Sequence, residues 1–476
     1  MTKTDTALSV GTPSQIPLRQ PASALALALT AAVLVSACQP QTVTVTREVQ
    51  VTVEVPKEVE RIVEVTPTPV NYGSLVWLST QLRPVGEAER VRGVILEDFP
   101  GSVDFVPDDE GPFHDRVAAE VQAGQGTVSV LGALHGNFST MAPAGQLQDL
   151  TALRSELAVR GIPDAFWSVA QLNTDATYYV PWMQATYIVA INKQAMAYKP
   201  ADVDENALTY DGLAAWAKAI FDATGEAKLG FPAGESGLLH RFFQGYLVPA
   251  FSGGVVTTFA SDDAAAGWQW LVDVWPYVNP QSTTYNFMQE PLLAEEVWIA
   301  WDHTARLKDA LEQRPDDFLA VPSPAGPQGR AFMPVVAGLA IPTTSPNQAG
   351  AEALIKYLTE PNVQVATLRE VGFFPMVDVD FPGFVSPGVK AEGEAVAAQS
   401  AAPDALPSLL PQGLGGKSGD FSKVYRDTFT RIVLNGEDIA TVLAEQKDVL
   451  QALMNETGAP CWPPDPDSGG QPCQVE

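Results

Sequence analysis

The residues of this sequence that could do chemistry form no evident catalytic or metal-binding motif. The four histidines are scattered without metal-ligand spacing, at His114, His135, His240 and His303. GLGGKSG at 413–419 resembles the end of a phosphate-binding loop, but Pro411 stands at the position where that motif requires its first glycine. GESGL at 234–238 resembles a nucleophile elbow, but Leu238 stands where that motif requires a glycine. Carboxylates are abundant, so a glycosidase with paired acidic residues stays open as an alternative. We expect no catalytic residue, no metal site and no cofactor.

The N-terminus predicts export and a lipid anchor. Lys3 and Arg19 precede an apolar run at 22–37, which is short for a membrane span. The run ends in LVSAC at 34–38, which resembles the bacterial lipobox, where the cysteine accepts diacylglycerol and becomes the first residue after cleavage. An ordinary signal peptide with an incidental Cys38 is the alternative. We predict that acyl chains on Cys38 hold the protein on the outer face of the cell membrane.

The segment after the cysteine predicts an extended stalk. Residues 39–69 alternate Val or Thr with polar residues, which is the strand pattern, but prolines interrupt them and turn signals are lacking. A stalk is therefore favoured over an edge strand. The biased composition predicts that this stalk covers residues 38–72. At ~3.3 Å per residue such a stalk could reach about 100 Å.

Composition describes the body of the chain as globular and acidic. About 400 residues remain after the stalk. A single hydrophobic core is usually too small for a chain of this length, so two lobes are expected. Hydrophobic residues make up 46% of the chain, charged residues 18%, and the formal net charge is −28. Basic residues are too few for a nucleic-acid surface, and anionic lipid would repel the body. We therefore expect contact with the membrane through the lipid anchor alone.

The two cysteines near the C-terminus predict a disulfide. Cys461 and Cys473 lie in the Pro- and Gly-rich segment CWPPDPDSGGQPC. Export would place them in an oxidising compartment, where paired cysteines form disulfides. Metal ligation is the weaker alternative, because no second Cys or His pair lies nearby in the sequence.

Strand-like and helix-like segments alternate from Ser74 onward, which indicates α/β layers. SLVWLS at 74–79 and GTVSVLGAL at 126–134 are predicted strands. YYVPWMQATYIVAIN at 178–192 is predicted to be a strand broken at Pro181.

Amphipathic helices are predicted between these strands. TYDGLAAWAKAIFDATG is predicted to begin at a Thr209 cap and to end at Gly225. EEVWIAWDHTARLKDALEQ at 295–313 is interpreted as helical, so Trp298 and Trp301 would share one buried helix face.

Several segments stand in the order found in one protein family. YYVPWMQATYIVAINKQAM is similar to that family's crossing between lobes, with Ile191 in place of the usual Tyr, and TYDGLAAWAKAI is similar to its helix start. Residues 318–364 follow with a Pro-rich crossing, a Gly-bearing strand, Ser-x-Asn and a helix ending near Leu-Thr-x-Pro, and VGFFPM at 371–376 matches the next Gly and Pro. From Ser74 to about Glu456 the chain thus resembles the family 1 extracellular solute-binding proteins, a sugar-binding, maltose-binding-protein-like group.

The resemblance implies a periplasmic-binding-protein-like (type II) clamp of two discontinuous α/β lobes, with a hinge of two to three crossings and C-terminal helices. The implied organisation is a signal peptide (1–37), the lipidated Cys and stalk (38–72), the first part of the N-terminal lobe (73–183), the C-terminal lobe (184–333), a return to the N-terminal lobe (334–376), helices packing mainly on the C-terminal lobe (377–456) and a tail (457–476). Ser129 stands where the family has Asp, which weakens ligand assignment more than fold.

The resemblance also implies which loops contact the ligand. The predicted ligand residues on these loops are Thr80, Gln81, His135, Asn137, Trp182, Gln184, His240, Phe242, Asp302, His303, Phe373 and Tyr425. Gln184 is favoured because the residue three past the Pro commonly meets ligand in the resembled family, and its amide can both donate and accept. Plainer interpretations stand beside these: Trp182 and Phe373 could pack in a core, and His240 could be a surface residue.

The resemblance predicts a monomeric binding protein that captures a small solute, a sugar by preference, and hands it to an ABC permease without catalysis. A non-sugar solute in the same fold is the alternative. Asp302 would suit a polyamine, the adjacent pair Tyr178-Tyr179 a ferric chelate, and Arg241 an organic anion. A glycan-acting lipoprotein enzyme is the second alternative, and it requires two carboxylates that face each other across the cleft.

Overall fold

The structure, a computed structural model, describes residues 70–379, apart from residue 173, and residues 385–475. The predicted signal peptide, the predicted lipidation site Cys38 and the stalk up to residue 69 lie outside the described residues. Within the described part of the chain, no helix is long and apolar enough to span a bilayer.

Two main sheets organise the fold. The described residues contain twelve strands: β1 (Ser74–Ser79), β2 (Ser102–Pro107), β3 (Val130–Leu134), β4 (Val180–Ala185), β5 (Tyr187–Asn192), β6 (Leu229–Gly230), β7 (Ile299–His303), β8 (Phe318–Val321), β9 (Arg330–Phe332), β10 (Val335–Ala340), β11 (Phe374–Pro375) and β12 (Ala405–Pro407). The six-stranded sheet has the order β11-β4-β10-β3-β1-β2, the four-stranded sheet the order β6-β7-β5-β8, and β12 pairs with β9. We call the six-stranded sheet with its helices the N-lobe, and the four-stranded sheet with its helices the C-lobe.

Strand directions are mixed in both sheets. In the N-lobe β1 is parallel to β2 and β3, whereas β10 is antiparallel to β3 and β4. In the C-lobe β7 is antiparallel to β5 and parallel to β6. The predicted α/β class is confirmed.

Helices cover both sheets. Those in the described residues are α1 (Val85–Arg90), α2 (Glu110–Ala123), α3 (His135–Met141), α4 (Thr151–Glu156), α5 (Asp164–Ala170), α6 (Tyr210–Thr224), α7 (Leu239–Phe242), α8 (Val248–Ser252), α9 (Asp262–Val274), α10 (Gln289–Leu293), α11 (Lys308–Gln313), α12 (Gln348–Leu358), α13 (Pro361–Val371), α14 (Pro387–Ala401), α15 (Ser418–Phe429) and α16 (Ile439–Thr457). In α6 the Thr209 side chain accepts a hydrogen bond from the Gly212 N–H (3.0 Å), and the helix ends at Gly225 with φ 75°. The predicted cap and end of this helix are confirmed, because polar capping and a left-handed glycine satisfy the open backbone groups.

The chain crosses between the lobes three times. The first crossing is Thr186, which joins β4 of the N-lobe to β5 of the C-lobe. The second runs from β8 to β10, and the third follows β11 and leads to α14, which packs on α11 and β8 of the C-lobe. The Thr186 hydroxyl lies 2.9 Å from the Tyr246 hydroxyl and accepts a hydrogen bond from Gln399 Nε2 (3.1 Å). These bonds tie the first crossing to α14, which follows the third.

Two local predictions are wrong. The strand does not break at Pro181, which lies inside β4, because the pairing with β10 shifts register beside Gly338 and so requires no N–H from the proline. Trp298 and Trp301 do not share a helix face, because residues 299–303 form β7, a central strand whose residues are all buried. A short apolar run of this kind has no periodicity that separates strand from helix.

Candidate functional site

A cavity of about 640 Å³, including its open mouth, lies between the two lobes, and we call it the main cleft cavity. Its polar lining comes from Thr80, Gln81, Arg83, Glu87 and Glu110 of the N-lobe and from Arg241, His303 and Arg306 of the C-lobe. Phe373, which directly precedes β11, also lines it. Four predicted ligand residues (Thr80, Gln81, His303 and Phe373) therefore share one cavity.

A second cavity of about 410 Å³, the adjoining cavity, shares Glu110 and Arg241 with the main one. Two further predicted ligand residues, Asn137 and His240, line it. Because both cavities have Arg241 in their walls, this guanidinium stands where they meet. The cleft as a whole is polar and charged rather than apolar.

The N-lobe wall is the turn that follows β1. The Thr80 N–H donates to the Gly132 carbonyl (2.8 Å), which fixes this turn against β3, and Gln81 Nε2 donates to the Thr80 hydroxyl (3.0 Å). Leu82 comes next and has a left-handed backbone, with φ 58°. A non-glycine residue rarely adopts this conformation, which costs on the order of 1–3 kcal/mol and is concentrated at functional sites.

The C-lobe wall begins at the end of β7. His303 Nδ1 accepts a hydrogen bond from the Ala305 N–H (3.3 Å), and its ring contacts Phe373 with the centroids 5.4 Å apart. Burial lowers the pKa of His303 well below its ordinary value, and the charges of Arg241 and Arg306 lower it further. A neutral imidazole therefore lines the cavity at neutral pH, with a ring face that packs on Phe373 and, since Nδ1 accepts from Ala305, a proton on Nε2 that can donate.

Two arginines complete this wall in different ways. Arg306 Nη1 donates to the carbonyls of Asn286 (2.9 Å) and Ser236 (3.4 Å). Burial lowers the pKa of Arg241, and within the described residues no hydrogen bond or ion pair engages its guanidinium. It nevertheless stays charged at neutral pH, because an arginine is effectively never deprotonated in proteins.

The polar residues near the adjoining cavity are partly engaged. Asn137 Oδ1 accepts a hydrogen bond from the Leu134 N–H (3.2 Å), and His240 Nδ1 lies 3.4 Å from Arg426 Nη1. Burial lowers the pKa of His240 well below its usual range, and Arg241 and Arg426 act in the same direction. The imidazole of His240 is therefore neutral.

His135 lies apart from the main cleft cavity. Its Nδ1 lies 2.9 Å from the Tyr179 hydroxyl, and burial lowers its pKa to about 4. The ring lines a third cavity beside the C-terminal tail, together with Gln412 and Trp462.

Three predicted ligand residues are core residues by their contacts. Trp182 is fully buried against Trp77, with ring centroids 5.1 Å apart. Phe242 packs on Trp301 at 4.8 Å, and the hydroxyl of buried Tyr425 donates to a backbone carbonyl at 2.9 Å. None of the three lines either cleft cavity as the structure describes them.

Gln184 and Asp302 also line neither cavity in the described structure. Gln184 Nε2 donates to the Pro375 carbonyl at 3.4 Å, which joins β4 to β11. Asp302 is fully buried behind the C-lobe wall, where its carboxylate accepts hydrogen bonds from the N–H groups of His303 (2.7 Å) and Met288 (3.1 Å). Its contacts are those of a residue that positions His303 rather than one that meets a ligand.

Sequence reasoning missed most of the charged lining. Arg83, Glu87, Glu110 and Arg306 were not among the predicted ligand residues, although three of them lie within seven positions of one that was. The usable signal was position: the loop after β1 and the turn after β7 each carry a predicted residue followed by a charged one. Arg241 was considered only as the partner of an organic anion.

The tail is fastened to the C-lobe. Cys461 and Cys473 are joined by a disulfide. Asp465 is 4% exposed, and its carboxylate accepts hydrogen bonds from the N–H groups of Val255 (3.0 Å), Val256 (2.9 Å) and Thr257 (2.9 Å). These hydrogen bonds join the tail to the loop after α8 and stabilise that loop.

The fold and cleft are those of a two-lobed binding protein, and comparison with known proteins agrees. A sequence model of the family described as bacterial extracellular solute-binding protein matches residues 97–365. The chain therefore belongs to that family of solute-binding proteins. No curated protein sequence matches it.

Solved structures of similar fold include proteins described as sugar-binding or as having maltose or D-mannitol bound. Maltose-bound MalE3 of T. maritima is 20% identical with a TM-score of 0.62, over 80% of this chain and 99% of that one. A solute-binding protein of Agrobacterium vitis with bound D-mannitol is 15% identical with a TM-score of 0.64, over 82% and 100%. The sugar-binding protein MalE of Xanthomonas citri is 15% identical with a TM-score of 0.61, over 80% and 98%. The predicted clamp fold is thus confirmed, and at these identities the likeness concerns the fold.

Proposed function

We propose that this chain is the substrate-binding lipoprotein of an ABC importer, which captures a carbohydrate between its lobes and delivers it to a membrane permease without altering it. The observation that carries the proposal is the polar main cleft cavity, whose walls come from two lobes joined by three crossings. A ligand there would contact both lobes only when they close, so binding would shift the population toward the closed form.

Membership of the family supports solute binding, and the solved structures of similar fold support a carbohydrate as the solute. Proteins of the same fold have been solved with maltose or D-mannitol bound. In this chain Thr80 and Gln81 offer a hydroxyl and an amide at the N-lobe wall, and Phe373, which precedes β11 of the same lobe, offers a ring that contacts His303 of the C-lobe wall. Such groups suit the hydroxyl rim and the C–H faces of a sugar.

The alternatives find less support in the cleft. Asp302, suggested for a polyamine, is buried behind the wall and bonded to two backbone N–H groups. Tyr179, suggested for a ferric chelate, packs on Phe138 and faces His135 within the N-lobe. Glu87 and Glu110 both belong to the N-lobe wall, whereas a glycosidase needs two carboxylates on opposite sides of the substrate.

A thermal-shift screen of the purified protein tests the proposal. Ligands would include mono- and oligosaccharides, polyamines, ferric chelates and organic anions. A ligand that binds only the folded state stabilises it by about 2.7 kcal/mol at a hundred times its Kd. We expect a raised melting temperature with a carbohydrate, which is recovered intact. A shift with non-sugar solutes alone would contradict the carbohydrate proposal, and turnover of a glycan would contradict the absence of catalysis.

The anchor is tested separately. In a bacterial host that processes lipoproteins, the full chain should incorporate labelled fatty acid and remain with the membrane fraction. Cys38→Ala should abolish both, and Cys461→Ala should leave the labelling intact. Labelling that persists without Cys38 would contradict the anchor.

A further inference from the structure

Arg241 is the feature of the cleft that a neutral sugar does not explain. It lines both the main cleft cavity and the adjoining cavity, on the short helix α7 of the C-lobe. The residue is half-buried, and within the described residues no acceptor engages its guanidinium. An arginine carries five N–H donors, and because those of Arg241 have no protein acceptor among the described residues, they remain available to water or to a ligand in the cavity.

The other cations of the cleft are already engaged. Arg83 forms an ion pair with Asp109 at the exposed rim of the N-lobe. Arg306 is held by the carbonyls of Asn286 and Ser236 and lies over the Phe287 ring, 4.5 Å from its centroid. Arg241 is therefore the cleft arginine whose hydrogen-bonding capacity is left for a ligand.

The carboxylates of the cleft form no ion pair with Arg241 among the described contacts. Glu87 and Glu110 line the main cavity from the N-lobe, and the charge of Glu110 attracts the Arg241 guanidinium without a direct contact. Burial raises the pKa of Glu87, although Arg306 and Arg90 oppose this shift. The C-lobe wall therefore presents net positive charge, in a chain whose formal net charge is −28.

Among the described residues, the lining of the cleft has little aromatic surface. All ten tryptophans lie in the described part of the chain, and none lines the main or the adjoining cavity. Phe373 is 7% exposed and is the aromatic carbocycle of the main cavity. Stacking on sugar faces is thus limited here, and a ligand must gain more of its binding free energy from polar and charged contacts.

We infer that the cleft selects an acidic carbohydrate, in which a carboxylate or sulfate group binds the Arg241 guanidinium while the hydroxyls meet Thr80 and Gln81 of the opposite wall. The inference rests on the proposed function, because it names the class of carbohydrate for the same cleft. A guanidinium matches either oxyanion with paired N–H donors, so the two acids share one recognition chemistry.

Isothermal titration calorimetry with matched ligands tests the inference. The probes are a uronate oligosaccharide, its carboxyl-reduced neutral counterpart, a sulfated oligosaccharide, and citrate or sulfate alone. The wild-type protein should bind one acidic oligosaccharide at least about tenfold more tightly than the neutral counterpart, and the difference should shrink as salt is raised. Which acid binds distinguishes a uronate from a sulfate ester.

Variants identify the residue responsible. Arg241→Gln should weaken the acidic ligand by about 10–100-fold and leave the neutral ligand within about threefold, and Arg241→Lys should lie between wild type and Arg241→Gln. Arg369→Gln removes the same charge from a side chain that is 54% exposed and lines neither cavity, so it should bind as wild type does. The melting temperature of Arg241→Gln should not fall, because no protein contact of the guanidinium is lost, and this readout separates a binding defect from a folding defect.

The outcomes separate the inference from the proposed function. Equal or tighter binding of the neutral oligosaccharide, or an acid preference that Arg241→Gln leaves unchanged, overturns the inference and leaves carbohydrate binding in place. Citrate or sulfate binding as tightly as the acidic oligosaccharide also overturns it, since the sugar would then contribute nothing. Absence of binding by every oligosaccharide overturns the proposed function itself.

Discussion

The two walls of the main cleft cavity differ in the charge they present and in how that charge is held. The N-lobe wall has carboxylates and neutral polar groups, such as Glu87, Glu110 and Thr80, and its one arginine, Arg83, is paired at the rim. The C-lobe wall combines two arginines with a neutral imidazole, and a buried carboxylate lies behind it. The N-lobe wall thus carries carboxylates and an arginine that is already paired, whereas the C-lobe wall carries Arg241, a guanidinium without a protein partner among the described residues.

This difference suggests that the two walls contribute differently to ligand affinity and to ligand specificity. Groups that already have protein or solvent partners add modest, general affinity, because a ligand only replaces one hydrogen bond by another. A charged group without a protein partner discriminates more strongly between ligands, because a ligand that closes the cleft without an acceptor removes its water and leaves it without a partner. The C-lobe wall should therefore set specificity, and the N-lobe wall should complete the closed form.

The largest effect that we expect concerns Asp302 behind the C-lobe wall. Burial raises the pKa of this carboxyl from 3.8 to about 7, which the charge of Arg306 and two backbone hydrogen bonds oppose. Between pH 4 and 7 the folded state then keeps a proton that the unfolded state has released. The free energy of unfolding should therefore fall as pH rises through this window, by about 4 kcal/mol in total from this group.

Asp302→Asn checks this expectation, because it removes the titrating group. In urea unfolding at pH 4, 5.5 and 7, the free energy of unfolding of the variant relative to wild type should increase with pH, by about 4 kcal/mol in total over this range. Asp222→Asn, on the exposed face of α6, is the matched control and should keep the wild-type slope. Parallel slopes for Asp302→Asn and wild type would mean that the pKa of the buried Asp302 carboxyl is not raised in the folded state.

The contact between the walls gives a smaller effect. Phe373 is 7% exposed and packs on His303 across the cleft. Phe373→Ala should lower the free energy of unfolding by about 2–3 kcal/mol, less than for a fully enclosed ring, and should weaken carbohydrate binding because the ring lines the cavity. Denaturant unfolding and calorimetry measure the two effects.

The control for this change is Phe221→Ala, at a phenylalanine that is 36% exposed on α6. This substitution should lower the free energy of unfolding by about 1 kcal/mol or less and leave ligand affinity unchanged. If Phe373→Ala is as mild as this control, the walls do not depend on their aromatic contact.

The framework of the molecule was predictable from sequence because it depends on periodicity and on capping. Alternating segments predicted the α/β class, and Thr209 with Gly225 predicted the bounds of one helix. β7 was missed because a strand buried on both faces has no period, and Pro181 misled because the bulge that accommodates it involves a strand far along the chain. Both predictions failed because the structure of each segment depends on the strand with which it pairs, which its own sequence does not identify.

The site was only partly predictable for a related reason. Loop position after a strand brought Thr80, Gln81 and His303 into one cavity. It could not separate Trp182 or Tyr425 from the cleft, because aromatic residues near loops serve cores as readily as ligands. The charged lining depends on which loops of the two lobes meet, which no local pattern contains.

The smallest effect that we expect lies in the N-lobe wall, and it sharpens the comparison most. Thr80→Val keeps the shape of a side chain that is 5% exposed but removes the hydroxyl that accepts a hydrogen bond from Gln81 Nε2. Binding should weaken by about 3–10-fold, the effect of one neutral hydrogen bond, and stability should change by at most about 1 kcal/mol.

The loss should be the same for an acidic oligosaccharide and for its carboxyl-reduced counterpart, because the Thr80 hydroxyl has no preference between them. Arg241→Gln should instead weaken the acidic ligand selectively. The double variant of Thr80→Val and Arg241→Gln then gives the clearest measurement. Additive losses of binding free energy mean that the two walls contact different parts of one ligand. A coupling energy above about 0.5 kcal/mol means that both residues act on the same group of the ligand. A Thr80→Val loss confined to the acidic ligand would show that specificity is not a property of the C-lobe wall alone.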